Sequence, residues 1–122
     1  LLDFTGPGCV NCRDIESRVW PDDRVRDYLN NKYVLVSLYV DDKTQLPEKD
    51  WYTSNYDSKT KKTIGKQNAD FQITRFNNNA QPFYVVIDPF SEKIVYRPWG
   101  YELNVESYIS HLENGITKFY EE

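Results

Sequence analysis

Methionine is absent, histidine occurs once and cysteine twice in 122 residues. With one imidazole and two thiols, a single chain is short of the four ligands that a structural zinc site needs. No run approaches the ~20 apolar residues of a membrane-spanning helix, and there is no signal peptide. A basic surplus is missing too. The formal net charge is -4, Lys and Arg are dispersed, and the one dense run, residues 59–66, lies in a polar stretch that reads as a solvated loop, so a nucleic-acid partner is excluded. The missing initiator methionine has a counterpart in Leu1-Leu2-Asp3-Phe4, which reads as a strand already under way at the first residue. That predicts a piece of a longer chain whose other part carries any targeting or membrane segments. At this length one domain is expected over residues 1–122, with apolar and charged fractions ordinary for a globular protein.

The two cysteines that are present stand as Cys9-Val10-Asn11-Cys12, between a short apolar run and an amphipathic helical pattern. A strand that ends in the turn Thr5-Gly6-Pro7-Gly8 and opens a helix puts Cys9 over unsatisfied backbone N–H groups at the positive end of the helix dipole, where a thiolate is favoured. Cys12 follows within reach of the first sulfur. The pair therefore reads as a dithiol redox centre, a nucleophile and a resolving thiol in one unit. Two other readings stand beside it. A zinc half-site would draw on His111, in the last helical stretch. A structural staple would close so short a loop that it restricts the unfolded chain little.

The helix that opens at Cys9 is expected to run to about Trp20, with Cys12, Ile15 and Val19 on one face and Pro21 ending it. Asp22 and Asp23 start a second short helix carrying Val25, Tyr28 and Leu29. Residues 33–40, nearly continuous in Val, Leu and Tyr, read as a central strand. Residues 41–63 break the pattern with polar residues and read as an insertion. Its aromatics Trp51, Tyr52 and Tyr56 either extend a binding groove or form a satellite of the core. A helix follows over 64–76 with Ala69, Ile73 and Phe76 in line, then a turn at 77–79, a strand over 82–87, a turn over 88–92 and a returning strand over 93–96. In the last helix Val105, Tyr108, Ile109, Leu112, Ile116 and Phe119 keep helical spacing behind an Asn104 cap, and Gly115 costs about 1 kcal/mol relative to alanine. This order predicts an α/β fold with a mixed central sheet flanked by helices on both faces.

The element order, with Cys-x-x-Cys after the first strand and Pro82 opening the next-to-last one, resembles the thioredoxin fold over nearly the whole chain outside residues 41–63. Within that superfamily it is most similar to the C-terminal thioredoxin-like domain of the DsbD thiol:disulfide interchange family. Cys9-Val10-Asn11-Cys12-Arg13, the acidic helix residues after it, Asp3, Glu16, Pro82 and Gly100 carry the likeness. The resemblance implies that the usual first strand and helix of the fold lie upstream of Leu1. It also implies thiol:disulfide exchange in which Cys9 attacks, Cys12 resolves and Asp3 takes the Cys12 proton. Asp3 lies six residues before Cys9, in an apolar strand where a solvated aspartate is out of place. Glu16 shares the helix face of both cysteines. A helical Glu is commonly just solvent-facing, and it is the resemblance that places an acid at this position beside the dithiol. Both carboxylates oppose the helix dipole, raise the Cys9 thiol pKa and make the pair a reductant.

Pro82 after Gln81 reads on its own as the start of an edge strand. The resemblance instead implies a cis Gln81-Pro82 bond that offers the Gln81 backbone to an extended substrate segment, with Trp99 and Gly100 as a third wall. Gly8 stands where the family usually has Trp, leaving the site less shielded. Ser37 falls near the family's lysine partner for the buried acid, leaving Asp3 less ionised. The implied function is a protein-disulfide reductase of the periplasm, a domain of an inner-membrane protein that is monomeric in isolation. It would take electrons from a membrane-embedded or thioredoxin-like donor, pass them to disulfide-bearing proteins and need no cofactor. A soluble thioredoxin-like oxidase or isomerase, and a non-catalytic thioredoxin-fold binding module, are the alternatives.

Overall fold

The computed structural model describes residues 1–121. The chain runs through β1 (Leu2–Thr5), α1 (Val10–Arg18), α2 (Asp23–Asp27) with a wide π-type turn at Tyr28–Lys32, β2 (Val36–Tyr39), a hairpin of β3 (Tyr52–Thr53) and β4 (Thr60–Lys61), α3 (Ile64–Phe76), β5 (Phe83–Ile87), β6 (Ile94–Trp99) and α4 (Val105–Glu121). The main sheet has the order β2-β1-β5-β6, with β1 and β2 parallel and the other pairs antiparallel. Alternation along β1 divides the core. Leu1 packs with Ile15 and Val19 of α1, Val25 of α2, and Tyr108 and Leu112 of α4, whereas Leu2 and Phe4 pack on the other face with Phe83, Val85 and Phe76 of α3. The mixed sheet flanked by helices is therefore present, and β5 is apolar at every position because both its faces are covered.

Residues 33–40 do not form a central strand. Only Val36–Tyr39 is strand, and it lies at the sheet edge with Val36 41% and Tyr39 39% exposed. Its apolar run is divided between two destinations: Tyr33 and Leu35 pack on the core face covered by α1, α2 and α4, Leu38 and Val40 on the face covered by α3, and Val34 is exposed. The returning strand, expected over 93–96, continues to Trp99. Pro98 is tolerated there because β6 is the other edge.

On α3 the buried residues are Gly65, Asp70 and Gln72, so the expected line of Ala69, Ile73 and Phe76 is only half-buried. Asp70 accepts hydrogen bonds from the Tyr52 hydroxyl at 2.9 Å and from Ser54, which ties the hairpin to the helix. Trp51 donates its indole N–H to the Leu46 carbonyl and lies under the Lys62 ammonium. Trp51 and Tyr52 are thus spent on satellite packing within and beneath residues 41–63.

Gly115 has a use that helix propensity hides. A Cβ there would collide with the Tyr33 hydroxyl and lie 3.1 Å from Val86, and that hydroxyl donates to the Leu112 carbonyl at 2.7 Å. Gly115→Ala is therefore expected to destabilise the protein by about 1–3 kcal/mol despite the better helix former. Urea unfolding of the two proteins measures this, and a stabilised variant would show that Tyr33 gives way freely.

Candidate active site

Because β1 and β5 run antiparallel with Phe4 opposite Phe83, the turn after β1 and the residues before β5 meet at one end of the sheet. Tyr84 opposite Trp99 brings Gly100 to the same end. Cys9 is the N-cap of α1. Its backbone is extended, its N–H donates to the Gly6 carbonyl at 3.0 Å, and its sulfur accepts the Cys12 N–H at 3.1 Å. Sulfur here takes the part usually played by a serine or aspartate oxygen, and the same N–H is placed to stabilise a thiolate once the disulfide opens. Cys9 and Cys12 are joined by a disulfide with Cα atoms 5.2 Å apart. Cys9 is half-buried beside the exposed Val10, whereas Cys12 is 1% exposed. A sulfur arriving from solvent meets Cys9 first.

Asp3 is buried in the middle of β1. Of its neighbours on that face, Leu1 packs under α1 and the Thr5 hydroxyl accepts from Arg13 at 3.2 Å, so Asp3 faces the underside of α1. Ser37, its register partner on β2, donates to Oδ2 at 3.4 Å, and Oδ1 has no hydrogen-bond partner among the described residues. Burial, reinforced by the negative charge of Glu16, pushes this carboxyl up to about 7; the Ser37 bond and the Arg13 charge pull the other way. Ser37 is thus a polar neighbour of Asp3 that supplies no charge.

Glu16 is held by Arg13, whose Nη2 donates to Oε2 at 2.8 Å. The same guanidinium bridges to Thr5. Arg13, which the motif contains but whose tether it does not announce, thus offsets part of the charge that Glu16 brings to the helix.

The Gln81-Pro82 bond is cis, and Pro82 is fully buried. A Cβ at Gly100 would stand 3.3 Å from the Pro82 carbonyl, so these two backbones lie side by side. Trp99 is buried: its ring stacks on Tyr84 and His111 in the core, and it borders this end of the sheet by its backbone. Gln72 is the residue that pattern reading missed. Fully buried, its amide donates to the Ala80 carbonyl at 2.7 Å and to Asn78, and accepts from Gln81 at 3.1 Å. The approach to Pro82 is fixed by that one amide. A cluster of Gln and Asn at 72, 77–79 and 81 was the available signal.

Gly8 donates its N–H to Asp41 at 3.3 Å, beside an open cavity of about 580 Å³ lined by Pro7, Arg13, Tyr39, Asp41, Asp42 and Lys43. An apolar cavity of about 290 Å³ lies at the other end of the sheet, where Leu1, Ile87 and Phe119 meet. His111 shares a 2.8 Å hydrogen bond with the Tyr96 hydroxyl, and among the described residues no group of three metal-ligating side chains converges.

The sequence matches the family described as a thioredoxin-like domain over residues 1–115. No curated protein matches it.

Proposed function

The chain belongs to the thioredoxin-like family and its Cys9–Cys12 pair makes it a thiol:disulfide oxidoreductase; from that premise we propose that it works as a reductase of protein disulfides. The observation that carries this direction is the acid under α1. A buried carboxyl at about 7 with a free oxygen can receive a proton at neutral pH, and its negative form disfavours a thiolate above it.

In the reduced protein the Cys9 thiolate attacks one sulfur of a substrate disulfide. The S–S bond breaks, a Cys9–substrate mixed disulfide forms, and the first substrate thiolate leaves and takes a proton from solvent. Asp3 then removes the Cys12 proton, and the Cys12 thiolate attacks the Cys9 sulfur. The Cys9–Cys12 disulfide closes and the second substrate thiol is released once protonated. Two electrons and two protons have passed to the substrate. The backbone of Gln81, with Pro82 and Gly100 beside it and Gly8 in the turn at the same end of the sheet, receives the substrate segment as an added strand.

The substrates in this reading are disulfide-bearing proteins of the periplasm, and the electrons come from a membrane-embedded or thioredoxin-like donor. The DsbD-like run from Cys9 to Arg13 and the acidic residues after it support that assignment. Equilibration with a glutathione buffer is expected to give a potential near the roughly -270 mV of thioredoxin. A value near the roughly -120 mV of a strong oxidant would make the protein an oxidase, and failure to turn over insulin disulfides would make it a binding module.

A further inference from the structure

Asp41 stands just beyond the end of β2, and its carboxylate reaches back to the turn that presents Cys9. Oδ2 accepts the Gly8 N–H at 3.3 Å, and a Cβ at Gly6 would lie 2.6–2.8 Å from the three carboxyl atoms. Gly6 is buried and no glycine in the chain has a positive φ, so room for this carboxylate, not backbone conformation, is what the position requires. The first turn of α1 has no acidic residue of its own. Other charged groups around the dithiol are Asp3 from β1, Arg13 and Glu16 from α1, and Asp42 and Lys43 beside the cavity. Arg13 is engaged with Glu16 and Thr5, and Asp42 with the Thr44 N–H. Asp41 is the carboxylate bonded into the turn before Cys9.

We propose that Asp41 is a positioning residue of the dithiol: it fixes the turn between Gly6 and Gly8 and sets a negative charge one residue from Cys9. Two consequences have the same sign. The Gly8 N–H is turned toward Asp41 and not toward the sulfur, and the carboxylate opposes the dipole of α1. Each disfavours the thiolate, and a less stable thiolate makes the dithiol more reducing. The biological use of this effect rests on the reductase reading; the effect itself does not.

The test is the absorbance of the Cys9 thiolate against pH in the reduced protein, together with its equilibrium in glutathione. In that equilibrium two glutathione molecules supply two electrons and two protons to the disulfide and leave as glutathione disulfide. Asp41→Asn keeps a carbonyl for Gly8 and removes the charge. It is expected to raise the acid dissociation constant of Cys9 about threefold and to shift the equilibrium about threefold toward the dithiol, equivalent to roughly 15 mV. Gly6→Ala, which pushes the carboxyl away from the other side, should move both readouts the same way. The double variant should go no further than Asp41→Asn alone, because both changes remove one contact. An unchanged Cys9 titration in Asp41→Asn, or additive effects in the double variant, would overturn the proposal. Titration needs no substrate, so a protein that shows the Asp41 effect yet fails to reduce insulin would sink the reductase reading and leave this one standing.

Discussion

Cys12→Ser is expected to accumulate mixed disulfides between Cys9 and substrate proteins, while Cys9→Ser should fall to the background rate of the buffer thiol and trap nothing. The difference follows from placement. Cys9 is half-buried at the helix cap, with a backbone N–H aimed at its sulfur, whereas Cys12 is closed off inside the helix. An incoming disulfide can be opened only by the accessible sulfur, and removing the second one stops the reaction after the first bond exchange. Non-reducing electrophoresis and mass spectrometry of both variants read this directly. Mixed disulfides formed through Cys12 would reverse the roles of the two residues.

Asp3→Asn is expected to make the oxidised protein more stable, and to do so in a pH-dependent way. The folded-state carboxyl titrates at about 7, against an ordinary value near 4 in the unfolded chain. Between those values the folded protein holds a proton that the unfolded chain has released. Stability therefore falls as pH rises through that window and levels off above it. The full penalty is at most about 4 kcal/mol, reached above pH 7 and absent below pH 4. The amide carries no such penalty, so its gain in urea unfolding should be a few kcal/mol at pH 8 and small at pH 4. An equal gain at both pH values would mean that Asp3 does not titrate in this window. In turnover the same variant lacks the acceptor for the Cys12 proton. Its resolution step should slow, and the inflection near pH 7 should vanish from its rate profile.

Much of this architecture was legible because it depends on local chemistry. The Cys9–Cys12 spacing after a strand and before a helix, the periodicity of α4 and the proline opening β5 each have a short-range cause, and each stands where expected. What escaped depends on what covers a segment. An apolar run such as 33–40 does not report that a strand lies on each flank: Tyr33, Leu35, Leu38 and Val40 find apolar neighbours while Val34 and Val36 stay exposed, so an edge reads as a centre. On α3 the buried face is partly polar because Asp70 and Gln72 serve other segments, and hydrophobic spacing is blind to a satisfied amide. By helix propensity Gly115 is only a cost, whereas its role is to admit Tyr33, which lies far away in the sequence. The reach of Arg13 back to Thr5 and of Asp41 to Gly8 likewise joins residues whose sequence positions carry no sign of the meeting.

Asp70 and Gln72 stand two residues apart on α3, one holding the hairpin and the other the approach to Pro82. The cysteines ride on α1, across the sheet from that helix. The reactive sulfurs and the backbone proposed to receive a substrate are therefore mounted on separate pieces of scaffold, one on each face. Each mount keeps its own internal bonds, so the grip on the sulfurs and the grip on the receiving backbone are independent of one another and meet only through the sheet between them.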